Sequence, residues 1–428
     1  MRRHRLALPA VAVALAATAA VPASAPAASW GPVGNATRSG QSFGPTVAAN
    51  SDGRFVVGFV RQLGSAHRAE IRTGRLTDRL RGDSVLLDSS TGNVDSPAVT
   101  FAGEEGPIGV AWRRLANRAQ RLRGAAVADD GDVSGPFDLT TDGPESAYEP
   151  RWIAQPDGPP LLVWDRRTSS AQAPLDGVRF GVENGLPGTG ISSQVQLAVQ
   201  PDGSQLAVWL QSGRVVTAQS PAAGQPFSAP VTLSGAGFAR DPHLAMSADG
   251  TAVAAWVRSA GAGNVMEVAS RPLGGTFGTP VALSGSGEGA FSPELVASST
   301  GGFLAAWVSG PTGRGWGSAS GPVRAQRLAA GGAPTGTAFT LTPAGARIVD
   351  PTVTGDGRGG VMVGWRVGAG SARQIVARRV AGNGVVGTPR TLDTGSRIEA
   401  GAPAMAGSLG AVVASWTSGG VVRYRLYR

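Results

Sequence analysis

Few side chains in this sequence are placed to do chemistry, and four stand out: Arg61, Tyr148, His243 and Trp316. Arg61 ends an apolar run, and a guanidinium with no carboxylate facing it suits a ligand anion, because its planar fork matches an oxyanion bidentately. Tyr148 and Trp316 sit in polar or Gly-rich loops. Aromatic rings there suit sugar-ring or partner contacts, or pack inside their own Ω-loops. His243 is one of three histidines. With His4 at the extreme N-terminus and only His67 left beside it, no His-based metal centre is expected. Cysteine is absent, which excludes disulfides and thiolate metal sites.

Other chemical patterns lose force when placed on elements. Asp129, Asp130 and Asp132 have the oxygens a Ca²⁺ ion wants. The equivalent stretch elsewhere is Ala329-Ala-Gly-Gly332, so a tight turn is the simpler account. Gly355-Asp-Gly-Arg-Gly-Gly360 matches G-x-G-x-x-G, but no helix follows it, so the phosphate cradle is missing. Leu186-Pro-Gly-Thr-Gly190 matches a wall-sorting signal and lies mid-chain, where it has no such meaning. There is no G-x-S-x-G and no P-loop. No cofactor and no metal is expected.

Charges recur at fixed places. If Asp249-Gly250 and Asp157-Gly158 each form a two-residue turn, Asp241 faces Arg258 and Glu149 faces Arg166 across a hairpin. The corresponding pairs elsewhere are Gln194 with Gln211 and Ser292 with Ser309: acid faces arginine, and neutral faces neutral. Asp95 with Arg114 and Asp350 with Arg366 repeat the idea in looser register. Cross-strand ion pairs worth about 0.2–1 kcal/mol each are the expectation. By the same rule Arg61 faces Gly44 and has no carboxylate partner.

The elements that hold these residues come from a repeat. Asp241–Arg258, DPHLAMSADGTAVAAWVR, reads as a short strand opened by Pro242, a turn at Asp249-Gly250, and an apolar strand ending in Trp256. The frame returns eight times, its aromatics running from Phe59 to Trp416 at steps of 45 to 58 residues. The second strand has little polar alternation, as expected of a strand covered on both faces. Two weaker strands complete each unit; only the third unit lacks a clear fourth. Four strands and about 50 residues per unit indicate a propeller blade. The expected fold is an all-β, eight-bladed β-propeller, with seven blades as the alternative. The eighth unit ends at its third strand, and Trp30–Thr37 resembles a fourth strand, so the N-terminal segment should close the last blade. The eight aromatics are then blade-to-blade core. The connections at the strand-entry end include Gln62–His67, Asp88–Ser96, Thr140–Glu149, Arg167–Pro174 and Ser309–Pro322. These make that end the functional face.

Residues 1–27 read as a signal peptide: Arg2, Arg3 and Arg5, an apolar run from Leu6 to Ala20, and Ala25-Pro-Ala27 as the cleavage site. The run is too short to span a bilayer, so no transmembrane segment is expected in the mature chain. Residues 28–428 form a single propeller domain in this reading, secreted or periplasmic. The formal net charge is +9, with every basic residue an arginine. Positions 54–123 are especially basic, which suggests an acidic polysaccharide or another cell-envelope component as partner; a protein partner is the alternative, and nucleic acid is not expected.

The D-G turn followed by an apolar strand ending in Trp or Phe resembles the blades of secreted bacterial WD40-like propellers of the TolB type. Ser247-Ala-Asp-Gly-Thr251 is similar to the Asp-box of sialidases, although Gly follows Asp directly here. The first resemblance implies a non-catalytic propeller that binds a glycan, wall polymer or protein. The second implies a carbohydrate-active enzyme, which would draw on Tyr148, Glu149, Asp241, Arg61 and Arg166. A structural or assembly subunit is the third class.

Overall fold

The computed structural model describes residues 28–428 apart from 39–40, 89–92, 117–118, 141–145, 156–157, 167–169, 177–178, 181–183, 186–191, 262, 286, 312–320, 344, 347, 349, 369–371 and 400. Residues 1–27, read above as a signal peptide, Trp316 and the Leu186–Gly190 pattern lie outside the described residues. Among those residues the chain folds into eight antiparallel sheets and no helix. It is an all-β propeller.

Blade 5 shows the plan: Ala239–Met246, Ala252–Ala260, Gly263–Arg271 and Val281–Ala282 pair in that order from inside to outside. First strands of successive blades touch around the axis, so they line the central channel. Second strands are buried on both sides by neighbouring blades, and Ala252 to Val257 has essentially no exposed surface. Trp112, Trp164, Trp209, Trp256, Trp307 and Trp365 are fully buried, as expected of blade-to-blade packing. One apolar cluster joins Leu304, Val308 and Val323 of blade 6 to Val361, Val363 and Trp365 of blade 7. Small second-strand residues let adjacent sheets approach; bulky tryptophans fill the widening gap outside them.

The ring closes as the repeat predicts. Gly34–Asn35 pairs with the last strand, Val421–Tyr427, with Gly34 opposite Tyr424 and Asn35 opposite Arg423. Trp30 bridges to Tyr427, and Ser29 exchanges backbone hydrogen bonds of 2.8 and 3.1 Å with Arg428. Gly34 is required: a Cβ there would lie 2.5 Å from the Tyr424 ring. The first unit is a full four-stranded blade, so the seven-blade alternative fails. In blade 3 both Arg179–Phe180 and Asn184–Gly185 pair with the third strand, which accounts for its unclear fourth strand in the sequence.

Two local features depart from the expected hairpin. The Asp-Gly turn holds three residues, because Ser247 pairs with Thr251 and Gly250 takes a φ of 81°. Asp249 braces it by accepting from the Ser247 hydroxyl at 2.6 Å and the Thr251 amide at 3.0 Å. In addition, the first strand bulges. Arg240 faces Val257 and His243 faces Ala255, so Asp241 and Pro242 together oppose Trp256. The same bulge, two residues against the aromatic, recurs at Gly44-Pro45, Ser96-Pro97, Glu149-Pro150, Gln194-Val195 and Ser292-Pro293. Its first residue is left-handed in five blades: φ is 59° at Gly44, 48° at Glu149, 56° at Gln194, 51° at Asp241 and 45° at Ser292.

Together the extra turn residue and the bulge move the register by two, placing Ala239, not Asp241, opposite Arg258, and Ala147, not Glu149, opposite Arg166. The expected Asp241–Arg258 and Glu149–Arg166 ion pairs therefore do not form. The second-to-third-strand connections are also shorter than expected in several blades. Leu63 pairs with Ala66, Gln211 with Arg214 and Ser418 with Val421, each across a two-residue turn. Gln62–His67 is thus a tight hairpin end and not a loop.

Candidate binding site at the channel mouth

The bulge aims side chains into the channel. A β-bulge bends its strand and re-aims the residue it displaces, and here it does so on successive blades around one axis. Glu149, Gln194, Asp241, Ser292 and Asp350 occupy the position before the strand-opening Pro or Val in blades 3 to 7, and all five line one cavity of about 580 Å³. The position after that Pro or Val forms a second, deeper tier. It holds Arg151, Gln196, His243 and Glu294 in blades 3 to 6, all lining the same cavity. The equivalent residues elsewhere are Thr46, Ala98, Thr352 and Ala404, so the polar groups occupy one arc of the ring. A neighbouring cavity of about 410 Å³ shares Glu294 and continues past Pro351 and Pro403 to Pro45.

The upper tier is largely spent on holding blades together. Asp241 accepts from Gln194 Nε2 at 2.8 Å, and its own backbone N–H donates to Gln194 Oε1 at 3.0 Å. Its second oxygen accepts from Arg240 Nε at 2.9 Å. Asp350 accepts from the Ser292 hydroxyl at 2.8 Å. Arg151 bridges Glu149 at 3.1 Å and buried Asp165 at 3.2 Å, and donates to the Val195 carbonyl at 2.6 Å. Asp165 also accepts from the Gln194 amide nitrogen at 3.1 Å, tying blade 3 to the bulge of blade 4.

The lower tier apart from Arg151 is different. Gln196, His243 and Glu294 have no side-chain hydrogen bond or ion pair to any described residue. Each touches channel space, yet protein packs closely around it. Loss of bulk water dominates their protonation. Burial pushes the His243 imidazole down to about 4; Asp241 opposes that fall and Arg151 adds to it. Burial pushes the Glu294 carboxyl up to about 8, and the Asp350 charge raises it further. At neutral pH both groups are uncharged.

Of the four residues singled out from the sequence, His243 is at this cavity. Arg61 is not: its Nη1 lies 3.4 Å from Glu70 Oε2, so the guanidinium has the carboxylate that the register rule denied it. Arg258 likewise belongs to Glu267, at 2.5 Å. Tyr148 is 39 % exposed and does not line the cavity; its ring is 6.0 Å from the Arg113 guanidinium, which itself clasps Asp95 at 2.7 Å. That pairing takes Asp95 away from Arg114. Asp129 is held by Arg54, so the three-aspartate turn is not a free oxygen cluster. Among the described residues no group of three or more His, Cys, Asp or Glu is placed to hold a metal ion. Gln196 and Glu294 were missed. Their signal was available: aligning the units on the strand-opening proline puts Arg, Gln, His and Glu in one column.

No family model and no curated protein matches the sequence. Similarity to solved structures is one of fold. The Dos1 propeller matches with a TM-score of 0.57 at 11 % identity, covering 93 % of this chain and 95 % of that one. An ulvan lyase of polysaccharide lyase family PL25, bound to a glucuronic acid–sulfated rhamnose unit, matches with a TM-score of 0.52 at 11 % identity over 78 % of this chain and 93 % of the lyase. A puromycin hydrolase matches with a TM-score of 0.51 at 16 % identity; 89 % of this chain is covered, but only 59 % of the hydrolase.

Proposed function

We propose that the protein is a secreted, non-catalytic propeller that binds a glycan or another cell-envelope polymer at its channel mouth. The observation that carries this reading is the convergence of polar side chains from blades 3 to 7 on one cavity of about 580 Å³. Its volume falls in the usual range for a ligand site, and its location on a propeller axis is a place where separate blades supply separate contacts. A polysaccharide lyase of similar fold, bound to a sugar unit, supports the reading. Tyr148, one residue before the cavity-lining Glu149, is exposed and suits stacking against a sugar ring.

Co-sedimentation of the protein with purified bacterial cell walls tests the reading. Pelleting that is lost in Gln196→Ala supports it. Pelleting that Gln196→Ala and His243→Ala both leave intact places the interaction elsewhere on the surface.

One observation favours a second reading, a glycoside-cleaving site. Glu294 is held protonated near neutral pH, as a general acid must be. A glycosidase also needs an ionised partner carboxylate facing the bond. Of the carboxylates on the two adjacent blades, Asp350 accepts from the Ser292 hydroxyl and Asp241 is engaged by Gln194 and Arg240. Release of reducing ends from wall polysaccharide, abolished by Glu294→Gln, would replace the binding reading with this one.

A further inference from the structure

The channel mouth sorts its polar groups into two populations. Arg151 is neutralised by Glu149 and Asp165, Arg240 lies on Asp241, and Asp350 accepts a hydrogen bond from the Ser292 hydroxyl. What remains is an arc of three side chains at the same position of three consecutive blades: the Gln196 amide, the His243 imidazole and the Glu294 carboxyl. None has a side-chain partner among the described residues. The three are half-buried and open onto one cavity, so their donors and acceptors are available to whatever occupies it.

From this arc we infer that the ligand is uncharged and hydroxyl-bearing, the end of a neutral glycan chain, and that Gln196, His243 and Glu294 are the residues that select it. The inference rests on the channel mouth being the binding site and departs from the acidic partner that the basic composition suggests. The chemistry fits hydroxyls. An amide offers both a donor and an acceptor, a neutral imidazole one of each, and a protonated carboxyl one of each. A sugar hydroxyl, itself donor and acceptor, is matched by every member of the arc. An anion is not: it would lie beside Glu294 and Asp350, and it would have to displace Glu149, Asp165 or Asp241 from the arginines.

The basic blades do not reverse this. Arg54, Arg61, Arg75, Arg81, Arg113 and Arg123 each have a carboxylate partner. Six of the twelve arginines at positions 54–123 are thus paired, and the arginines that line the cavity, Arg151 and Arg240, lie outside that stretch.

Protonation supports the same choice. His243 is faced by Asp241 on its own strand and by Arg151 from blade 3; Glu294 is faced by Asp350 from blade 7. Glu149 and Arg240 complete the charged groups lining the cavity, and Glu399 lies across the adjoining one. Their combined effect keeps both arc members neutral from about pH 4 to about pH 8.

The test is calorimetric titration of the whole protein with four neutral tetrasaccharides, of glucose, mannose, galactose and xylose, and with tetragalacturonate as the anionic probe. Thermal melts of each variant establish folding. A neutral probe should bind with an affinity that salt does not change. Gln196→Ala and His243→Ala should each weaken it about tenfold, the loss expected from about 1.4 kcal/mol. Glu294→Gln keeps the shape and an uncharged donor and acceptor, so it should stay within about threefold at pH 7 and should not lose affinity above pH 8 as the parent does. Salt-sensitive binding of tetragalacturonate alone, weakened by Gln196→Ala, overturns the neutral-ligand inference while leaving the site in place. A neutral probe whose binding ignores all three variants overturns both the inference and the site. No binding of any probe at about 10 mM leaves a channel filled by ordered water and overturns the inference.

Discussion

Arg61 Nη1 lies 3.4 Å from Glu70 Oε2, and four blades away Arg258 Nη2 lies 2.5 Å from Glu267 Oε1. The two pairs are the same device. Phe59 faces Glu70 and Trp256 faces Glu267 across second and third strands. The arginine two residues past the aromatic therefore meets that glutamate on the diagonal, where long side chains reach. Glu267 also accepts from Trp256 Nε1 at 2.9 Å, and Glu70 from the Ser84 hydroxyl at 2.6 Å. Each glutamate is buried. The arginines that looked like ligand contacts are thus braces between a blade's middle strands.

This makes Glu267 a stability residue. Glu267→Ala removes the acceptor for one indole N–H and one part-buried guanidinium. Breaking a buried pair on one side leaves a charge without compensation, with an expected cost of about 3–5 kcal/mol. Glu267→Gln should cost less, because it retains an acceptor for Trp256. Glu149→Ala, at a side chain 65 % exposed, should change stability by less than about 0.5 kcal/mol. Urea unfolding of the three variants orders them; equal effects at Glu267 and Glu149 would remove the distinction.

Left-handed backbone gives a second prediction. Leu409 has a φ of 54° in a two-residue turn whose flanks, Ser408 and Ala411, pair. A branched apolar side chain is a poor choice for such a turn, and this one is 50 % exposed. Leu409→Asn should stabilise the protein by about 0.5–1 kcal/mol, because Asn tolerates this conformation and nothing buried is lost. Gly44→Ala should go the other way by about 1 kcal/mol. There φ is 59° and an added Cβ meets only Pro97, 3.8 Å away, so the cost is conformational and not steric. A shift in melting temperature of the wrong sign in either variant contradicts the assignment.

These positions also show what the sequence reveals and what it hides. The fold is legible because it is written eight times: Pro242 and Trp256 mark strand entry and blade core, and each repetition averages out local ambiguity. Even the closure of blade 8 by Gly34–Asn35 follows from a missing strand at one end and a spare one at the other. The pairing of charges was not legible, because register depends on backbone conformation. A third turn residue at Ala248 and a bulge at Asp241 each move the partner by one, and no residue type announces either. Glu149, Gln194, Asp241 and Ser292 adopt positive φ without being glycine. Only Gly44, at the same place, hints at it. Gln196 and Glu294 escaped notice for another reason: with His243 they form a site only when blades stand side by side.

Closure of the ring gives a third prediction. Tyr424 is 4 % exposed, and its hydroxyl accepts from the Leu80 amide at 3.0 Å, joining blade 8 to blade 1. Tyr424→Phe leaves that N–H without its partner and should cost about 1–3 kcal/mol. Gly34→Val is more severe, since its Cβ would sit 2.5 Å from the same ring. It should release the N-terminal strand before the rest unfolds. Amide exchange in this variant should quicken first at position 34, at Asn35 and at Val421 to Tyr427. Uniform acceleration across all blades would mean that the seam has no separate stability.

The channel predicts a pH profile with two limbs of opposite sign. Glu294 titrates near 8 in the fold and near 4.5 when unfolded. Between those values the folded state holds the extra proton, so stability falls as pH rises. Its contribution is complete below about 4.5 and lost above about 8. His243 titrates near 4 in the fold against 6.5 unfolded. Over that window the unfolded state holds the extra proton, so stability rises with pH, and the His243 contribution is lost as pH drops through about 4. Each full shift corresponds to a few kcal/mol at about 1.4 kcal/mol per pKa unit, reduced by whatever water the channel admits. Glu294→Gln should flatten the alkaline limb alone and His243→Gln the acid limb alone. Urea midpoints measured from pH 4 to 9 separate the two. If both limbs survive both substitutions, the pH dependence resides in other groups, and the two side chains are solvated in the channel as they would be in free solution.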